Sequence, residues 1–269
     1  TPKGMIVVDL WVIRQPERLT LIAPADARDA ALELMRRQLP PRLAALTDVT
    51  GEVEVAWLAG GQGFSTLARS GLRPLPDAAG RVTTVACEPV PIVLALAHDA
   101  APFTALAVGP REAVAAVSAA LALAGAHPGA ADDLEAARIL AGWPARDAEI
   151  DERTLPQEVR YDEIGGVSYT KGCYVGQETV ARLHFRGHTN RELRGLLWFD
   201  PHPLSGDVIM SGDRQVGTVR SVLALEDRRL GLAPIRREVE PGATVVAGGR
   251  DARVVPLPFG ADELDATAA

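Results

Sequence analysis

The chain has 269 residues, 47% of them hydrophobic, and a formal net charge of -7. That length holds one large domain or two to three modest ones, with ample apolar material for packed cores. The acidic balance argues against a broad nucleic-acid footprint, which needs a clustered basic surface, and no apolar run reaches the ~20 residues of a membrane span.

Residues 5–13 (MIVVDLWVI) read as a buried strand and residues 19–23 as its partner. Asp26 is placed to cap a helix that runs to residue 39, where Pro40-Pro41 ends it. Residues 46–49 and 53–58 are strand-like, and Gly60-Gly61-Gln62-Gly63 opens a short helix over 65–70. Strands follow at 82–86, 92–97 and 103–108. An alanine-rich helix over 111–124 lies between Pro110 and Gly125, and a second helix covers 131–140, with Asp132 and Asp133 near its N-terminus. This order predicts an α+β unit, an antiparallel sheet with helices on one face.

From 193 to 257 the pattern changes to short strands split by Gly, Pro and Asp, at 193–199, 216–225, 229–233 and 253–257. Such spacing predicts a small antiparallel β-barrel or sandwich. The tail 261–269 is small and polar, which predicts disorder. The start, Thr1-Pro2-Lys3-Gly4, has no basic-then-apolar secretory pattern.

Chemistry concentrates in Lys171-Gly-Cys-Tyr-Val-Gly-Gln-Glu-Thr-Val-Ala-Arg182. Cys173 and Cys87 are the two cysteines; far apart and without a Cys-x-x-Cys, they point neither to a disulfide framework nor to a four-thiolate site. The thiolate is the reactive form of cysteine. A helix starting near Gly176 and the cation of Lys171 both favour it. Gly172 and Gly176 leave room for a ligand or a tight turn, and Tyr174 offers a flat apolar face for stacking. The plainer alternative makes Cys173 a small buried hydrophobe and the glycines a strand-to-helix turn. Gln177 and Glu178 also suit a first helical turn, and Arg182 is placed for an i,i+4 ion pair with Glu178. His184 and His188 are interrupted by Gly187 and lack the acid of His-Glu-x-x-His, so no metal site is predicted. No nucleophile elbow, phosphate loop or dinucleotide fingerprint is present.

The segment resembles, at every defined position, the signature K-G-C-Y-x-G-Q-E-x-x-x-R of the YgfZ family, folate-binding relatives of the glycine-cleavage T protein linked to iron–sulfur cluster maintenance. Pro2-Lys3-Gly4, Arg138-Ile-Leu-Ala-Gly-Trp-Pro144, Leu155-Pro-Gln-Glu158 and Gly217-Thr-Val-Arg-Ser221 are similar to further family elements in the same order. The resemblance implies a three-lobed α+β fold. Its lobes fall at 1–50 and 51–185, and an antiparallel β-barrel at 186–260. It implies tetrahydrofolate or a one-carbon derivative as cofactor. Lys171 and Cys173 are then the catalytic residues, with Tyr174, Gly176, Gln177, Glu178 and Arg138 around the folate. The implied partners are iron–sulfur enzymes or assembly proteins that serve tRNA modification, in the cytoplasm, with neither a membrane nor broad direct nucleic-acid binding.

Two departures and one further correspondence bear on this. Leu140 stands where many relatives carry a pterin-holding glutamate. The family's opening segment ahead of Pro2-Lys3-Gly4 is absent from this sequence. Asp9 is the only acid in the strand that corresponds to the one bearing the T protein's catalytic aspartate. The resemblance therefore leaves open whether the chain is an enzyme. The alternative to an accessory protein is a tetrahydrofolate-dependent aminomethyl- or methyltransferase using Asp9, and a module with a decayed folate pocket stands behind both.

Overall fold

The computed structural model describes residues 1–87, 90–199 and 203–265. The chain forms two compact units: Leu10–Ala137, and Thr1–Asp9 together with Arg138–Ala269.

In the unit Leu10–Ala137, β1 (Trp11–Arg14) and β2 (Leu19–Ile22) make an antiparallel hairpin. A 3-10 turn at Ala25–Ala27 leads into α1 (Arg28–Gln38), so Asp26 lies inside that turn and not at the helix cap. A four-stranded antiparallel sheet follows, built from β3 (Glu54–Leu58), β4 (Val82–Val85), β5 (Ile92–Leu96) and β6 (Ala105–Gly109) in the order β3-β6-β5-β4. Two helices, α2 (Gly63–Arg69) and α3 (Arg111–Leu123), cover one face.

Alternation along the central strands decides what each face meets. Ile92, Leu94, Ala105 and Ala107 pack with Leu67 of α2 and with Ala113 and Val117 of α3. Val93, Ala95, Leu106 and Val108 face the other way, with Trp11, Ile13 and Ile22 of the hairpin. Both faces are thus covered, and β5 and β6 are buried at every position. That is why they read as unbroken apolar runs. Phe103 fills the second layer edge-on, its ring centroid 4.6 Å from those of both Trp11 and Trp57.

Two expected strands differ. Residues 46–49 form none: Asp48 accepts hydrogen bonds from the backbone N–H (3.1 Å) and hydroxyl (2.7 Å) of Thr50, a local turn that competes with a ladder. The run 5–13 yields strand only from Trp11. The chain passes from one unit to the other after Asp9, so this apolar run is divided between two units and does not pair as one strand. Its first half is held by single bonds, Ile6 N–H to the Thr154 carbonyl (3.0 Å) and Arg146 Nη1 to the Val7 carbonyl (3.0 Å).

α4 (Ala131–Leu140) runs from the first unit into the second. The second unit then carries a 3-10 turn at Pro156–Val159 and α5 (Gln177–Arg186). Seven strands follow: β7 (Arg191–Trp198), β8 (Val208–Ser211), β9 (Arg214–Thr218), β10 (Ser221–Ala224), β11 (Arg229–Arg236), β12 (Thr244–Ala247) and β13 (Arg250–Val255). Their order is β10-β11-β7-β13-β12-β8-β9, and β9 returns to β11 through Ile235 and Gly217, closing a six-stranded antiparallel barrel with β10 outside the ring. A Cβ on Gly217 would lie 2.8 Å from the Pro234 carbonyl, so glycine is what lets the closing strands meet. Leu196, Trp198, Ile209, Val245 and Val254 share the barrel core, while Leu193 and Leu197, at alternate positions of β7, pack with Ile139 and Phe259.

The expected strand 216–225 divides at Val219 and Arg220, whose N–H groups turn to different partners, the carbonyls of Asp207 and Leu232 (2.9 Å each). β8 and β12 are two strands beyond those that the sequence pattern predicts. Each is four residues long and is joined to the next strand by a two-residue loop, Gly212-Asp213 and Gly248-Gly249, with φ of +57° at Gly212 and +63° and +74° at Gly248 and Gly249. In the tail, where composition predicts disorder, α6 (Ala261–Leu264) is one helical turn, and 266–269 lie outside the described residues. Among the described residues no helix is long and apolar enough to cross a membrane.

Candidate functional site

The signature segment folds as a loop that feeds α5. Gly176 caps the helix with φ +86°, a left-handed conformation that costs a side-chain-bearing residue energy. Its backbone also lies against the chain start: a Cβ there would sit 2.8 Å from the Gly4 nitrogen, and one on Gly4 would sit 3.0 Å from Val180 Cγ2. The start of α5 and residues 1–4 therefore pack backbone to backbone, which only two glycines permit. Gln177 turns its side chain back on the loop, its Oε1 accepting the Tyr174 N–H at 3.3 Å.

A pocket of about 180 Å³ opens beside this junction. Met5, Ile6 and Val8 form one apolar side of its lining, and Tyr161, Ser168, Lys171 and Tyr174 add polar groups. The Lys171 ammonium lies 4.7 Å from the centroid of the Tyr174 ring, a cation–π pair. The Tyr174 hydroxyl is buried and has no hydrogen-bond partner. Burial, with the Asp162 carboxylate nearby, pushes this phenol above its ordinary pKa. Tyr161 is pushed well above it, by burial first and then by Asp9. Both hydroxyls thus stay protonated, as donors, across the physiological range. Cys173 is exposed, and it and Cys87 are free thiols.

Of the residues singled out from sequence, Lys171 and Tyr174 line this pocket together. Cys173 lies between them in the chain, exposed to solvent. Gly176 and Gln177 shape the loop and the helix start, and Glu178 is exposed on the first turn of α5. No Glu178–Arg182 ion pair forms among the described residues. Arg138 lies outside the pocket's lining. Buried at the end of α4, it donates from Nη1 to Glu149 Oε2 (3.0 Å) and to the Trp143 carbonyl (2.6 Å), and from Nη2 to Ser221 Oγ (2.7 Å). Ser221 Oγ in turn donates to Glu149 Oε1 at 2.5 Å. This network joins two of the segments that resemble family elements, through a side chain whose guanidinium is already occupied. Leu140 packs in the cluster of Ile139 and Phe259.

Sequence reading missed a second group beside the pocket. Asp162 accepts the Tyr169 hydroxyl at Oδ1 (2.5 Å) and approaches His184 Nδ1 at Oδ2 (3.2 Å), while His184 stacks on Tyr169 with centroids 3.7 Å apart. Gln157 Nε2 donates to the Tyr169 hydroxyl (3.2 Å) and to the Val180 carbonyl (2.9 Å), tying the group to α5. These residues are spread over 157–184 in turns and one helix face, and no periodicity links them. Among the described residues no group of three or more His, Cys, Asp or Glu is placed to hold a metal ion.

No family model matches the chain. It is 35% identical over 136 residues to the tRNA-modifying protein YgfZ of Cronobacter sakazakii, covering 46% of this chain and 41% of that protein. The same protein of Edwardsiella ictaluri is 35% identical over 136 residues (47% and 41%), and that of an Escherichia coli strain 33% (48% and 42%). The chain thus spans about two fifths of the length of these curated relatives. Among solved structures, the glycine cleavage system aminomethyltransferase T from Bartonella henselae superposes with a TM-score of 0.71 at 18% identity, over 96% of this chain and 73% of that one. The chain is therefore similar in sequence to the YgfZ proteins over part of its length and has the fold of the glycine-cleavage T protein.

Proposed function

We propose that this chain is a folate-binding accessory protein that takes tetrahydrofolate, or a one-carbon derivative, at the signature pocket and supports iron–sulfur cluster assembly or repair and the tRNA modification that depends on it. One observation carries the reading. The signature's Lys171 and Tyr174 meet at a pocket with an apolar wall and a buried phenol that has no partner. Ligand sites ordinarily combine such a wall with a few placed polar groups over about 300–1,000 Å³. At about 180 Å³ this pocket suits the ring end of a folate and not the whole molecule. The Tyr174 hydroxyl supplies a donor to a ring nitrogen or oxygen, and Lys171 holds the Tyr174 ring in place. The YgfZ names of the relatives support the tRNA-modification side.

Exposed Cys173 is then the group that meets a partner protein. One thiolate does not hold an iron–sulfur cluster alone, so a cluster or sulfur species passing here is shared with the partner or a small thiol. Calorimetric titration with tetrahydrofolate tests the reading. Saturable binding that weakens in Lys171→Ala supports it, and no binding by the wild type removes it.

A second reading, a tetrahydrofolate-dependent aminomethyltransferase, draws on Asp9, which neighbours the pocket phenol Tyr161 closely enough to raise its pKa. It requires turnover of an aminomethyl donor that Asp9→Asn abolishes. Unchanged turnover in Asp9→Asn, or none in the wild type, removes it.

A further inference from the structure

A second cleft, of about 270 Å³, lies in the same unit and shares no lining residue with the signature pocket. Its charged lining consists of Arg160, Glu163, His188, Glu192, Arg194 and Arg237. Four of these neutralise one another. Arg160 Nε pairs with Glu163 at 2.8 Å, and the rest of its guanidinium is occupied by the carbonyls of Ala141, Gly142 and Leu257. Arg194 pairs through Nη2 with Glu192 and approaches Glu240 at 3.9 Å, while its Nε is buried and has no partner. The Arg237 guanidinium has no partner among the described residues: Arg237 bonds only through its backbone N–H, to the Asn190 carbonyl at 3.1 Å. His188 is exposed and likewise has no partner.

The cleft therefore keeps one uncompensated arginine, a histidine and an unspent arginine N–H, on a chain whose net charge is -7. Its lining holds three arginines and two glutamates, against an acidic excess in the chain as a whole, so general basicity does not account for it. The last carbonyls of α5 border the cleft near Gly187 and oppose an anion, but by less than a charge-assisted arginine contact supplies. A planar guanidinium beside a second cation suits tetrahedral, multiply charged oxyanions.

We infer that this cleft binds a phosphate group, with Arg237 and Arg194 as its donors and His188 at its edge. The inference stands apart from the folate reading, because it uses none of that site's residues. The shared chemistry is the phosphate, and it has two sources: a free phosphorylated small molecule or the backbone of a single-stranded RNA.

The full chain is titrated with inorganic pyrophosphate and, separately, with a ten-nucleotide single-stranded RNA at fixed ionic strength. Saturable binding of either probe, weakened about tenfold in Arg237→Gln and unchanged in Lys171→Ala, supports the inference. Pyrophosphate binding assigns the free-phosphate source, and binding of RNA alone assigns the backbone. Arg237 is exposed, so Arg237→Gln is expected to keep the wild-type melting temperature. The exposed Arg182→Gln, outside the cleft, is the charge control. The inference is overturned if neither probe binds, if Arg237→Gln binds like the wild type, or if Arg182→Gln loses as much affinity as Arg237→Gln.

Discussion

The Lys171 ammonium sits 4.7 Å from the centre of the Tyr174 ring, so these two signature side chains, both in the pocket's lining, hold each other. The pair is partly exposed, where such contacts contribute about 0.5–1 kcal/mol. Lys171→Ala is therefore expected to change stability by no more than about 1 kcal/mol. A larger loss in denaturant unfolding would assign Lys171 a structural role instead.

Cys173→Ser separates chemistry from packing. The thiol is exposed, and exposed positions away from special features change stability by about 0.5 kcal/mol or less. The variant is expected to melt with the wild type while failing to restore iron–sulfur-dependent tRNA modification in cells lacking the protein. A variant that unfolds, or one that restores modification fully, contradicts the proposed role of the thiol.

Arg138 behaves in the opposite way. Its removal leaves the Glu149 carboxylate, which is fully buried, without its cation. Breaking a buried pair from one side costs about 3–5 kcal/mol. Arg138→Ala is expected to lower the denaturant midpoint accordingly, and Arg138→Met with Glu149→Leu to recover a large part of the loss. Equal destabilisation by the single and double variants would show that the ion pair is not the cause.

The chain has three tyrosines, Tyr161, Tyr169 and Tyr174, and the fold raises the pKa of all three, by burial first in each case. A raised phenol binds its proton more tightly in the folded state than in the unfolded chain. Its contribution to stability is then complete below the unfolded value of about 10 and is lost as pH rises beyond it. Ultraviolet titration is expected to show the native phenols ionising later than free tyrosine. Denaturant stability is expected to fall above pH ~10. A normal phenol midpoint in the folded protein would contradict the burial of these groups.

Gly176→Ala tests the junction between residues 1–4 and α5. A side chain at φ +86° is strained by about 1–2 kcal/mol, and the Cβ also meets the Gly4 backbone. The variant is expected to lose stability by at least that amount, as read by thermal unfolding. A neutral outcome would mean that the first residues do not dock on the helix start.

The sequence made the central sheet legible because β5 and β6 lie between two covered faces, and their apolar runs have no other use. The barrel class was legible from its turn residues, but β8 and β12 were not. Four residues carry too little pattern, although Gly212-Asp213 and Gly248-Gly249 are hairpin signals that could have found them. The run 5–13 misled because its apolar residues are shared between two units, which periodicity cannot reveal. At the candidate site, the motif marks Lys171 and Tyr174, and both side chains line one pocket. Arg138 was placed near the folate by resemblance, whereas its bonds tie α4 to Glu149 and Ser221. The Asp162–Tyr169–His184 group had no local signal, because its members meet only after the loop folds back along α5.

The most direct test is calorimetric titration of the protein with tetrahydrofolate beside Lys171→Ala. The account predicts saturable binding by the wild type and weaker binding by the variant, with both melting alike. Absence of binding by the wild type, or equal affinity in the two proteins, would contradict a folate site at the signature pocket.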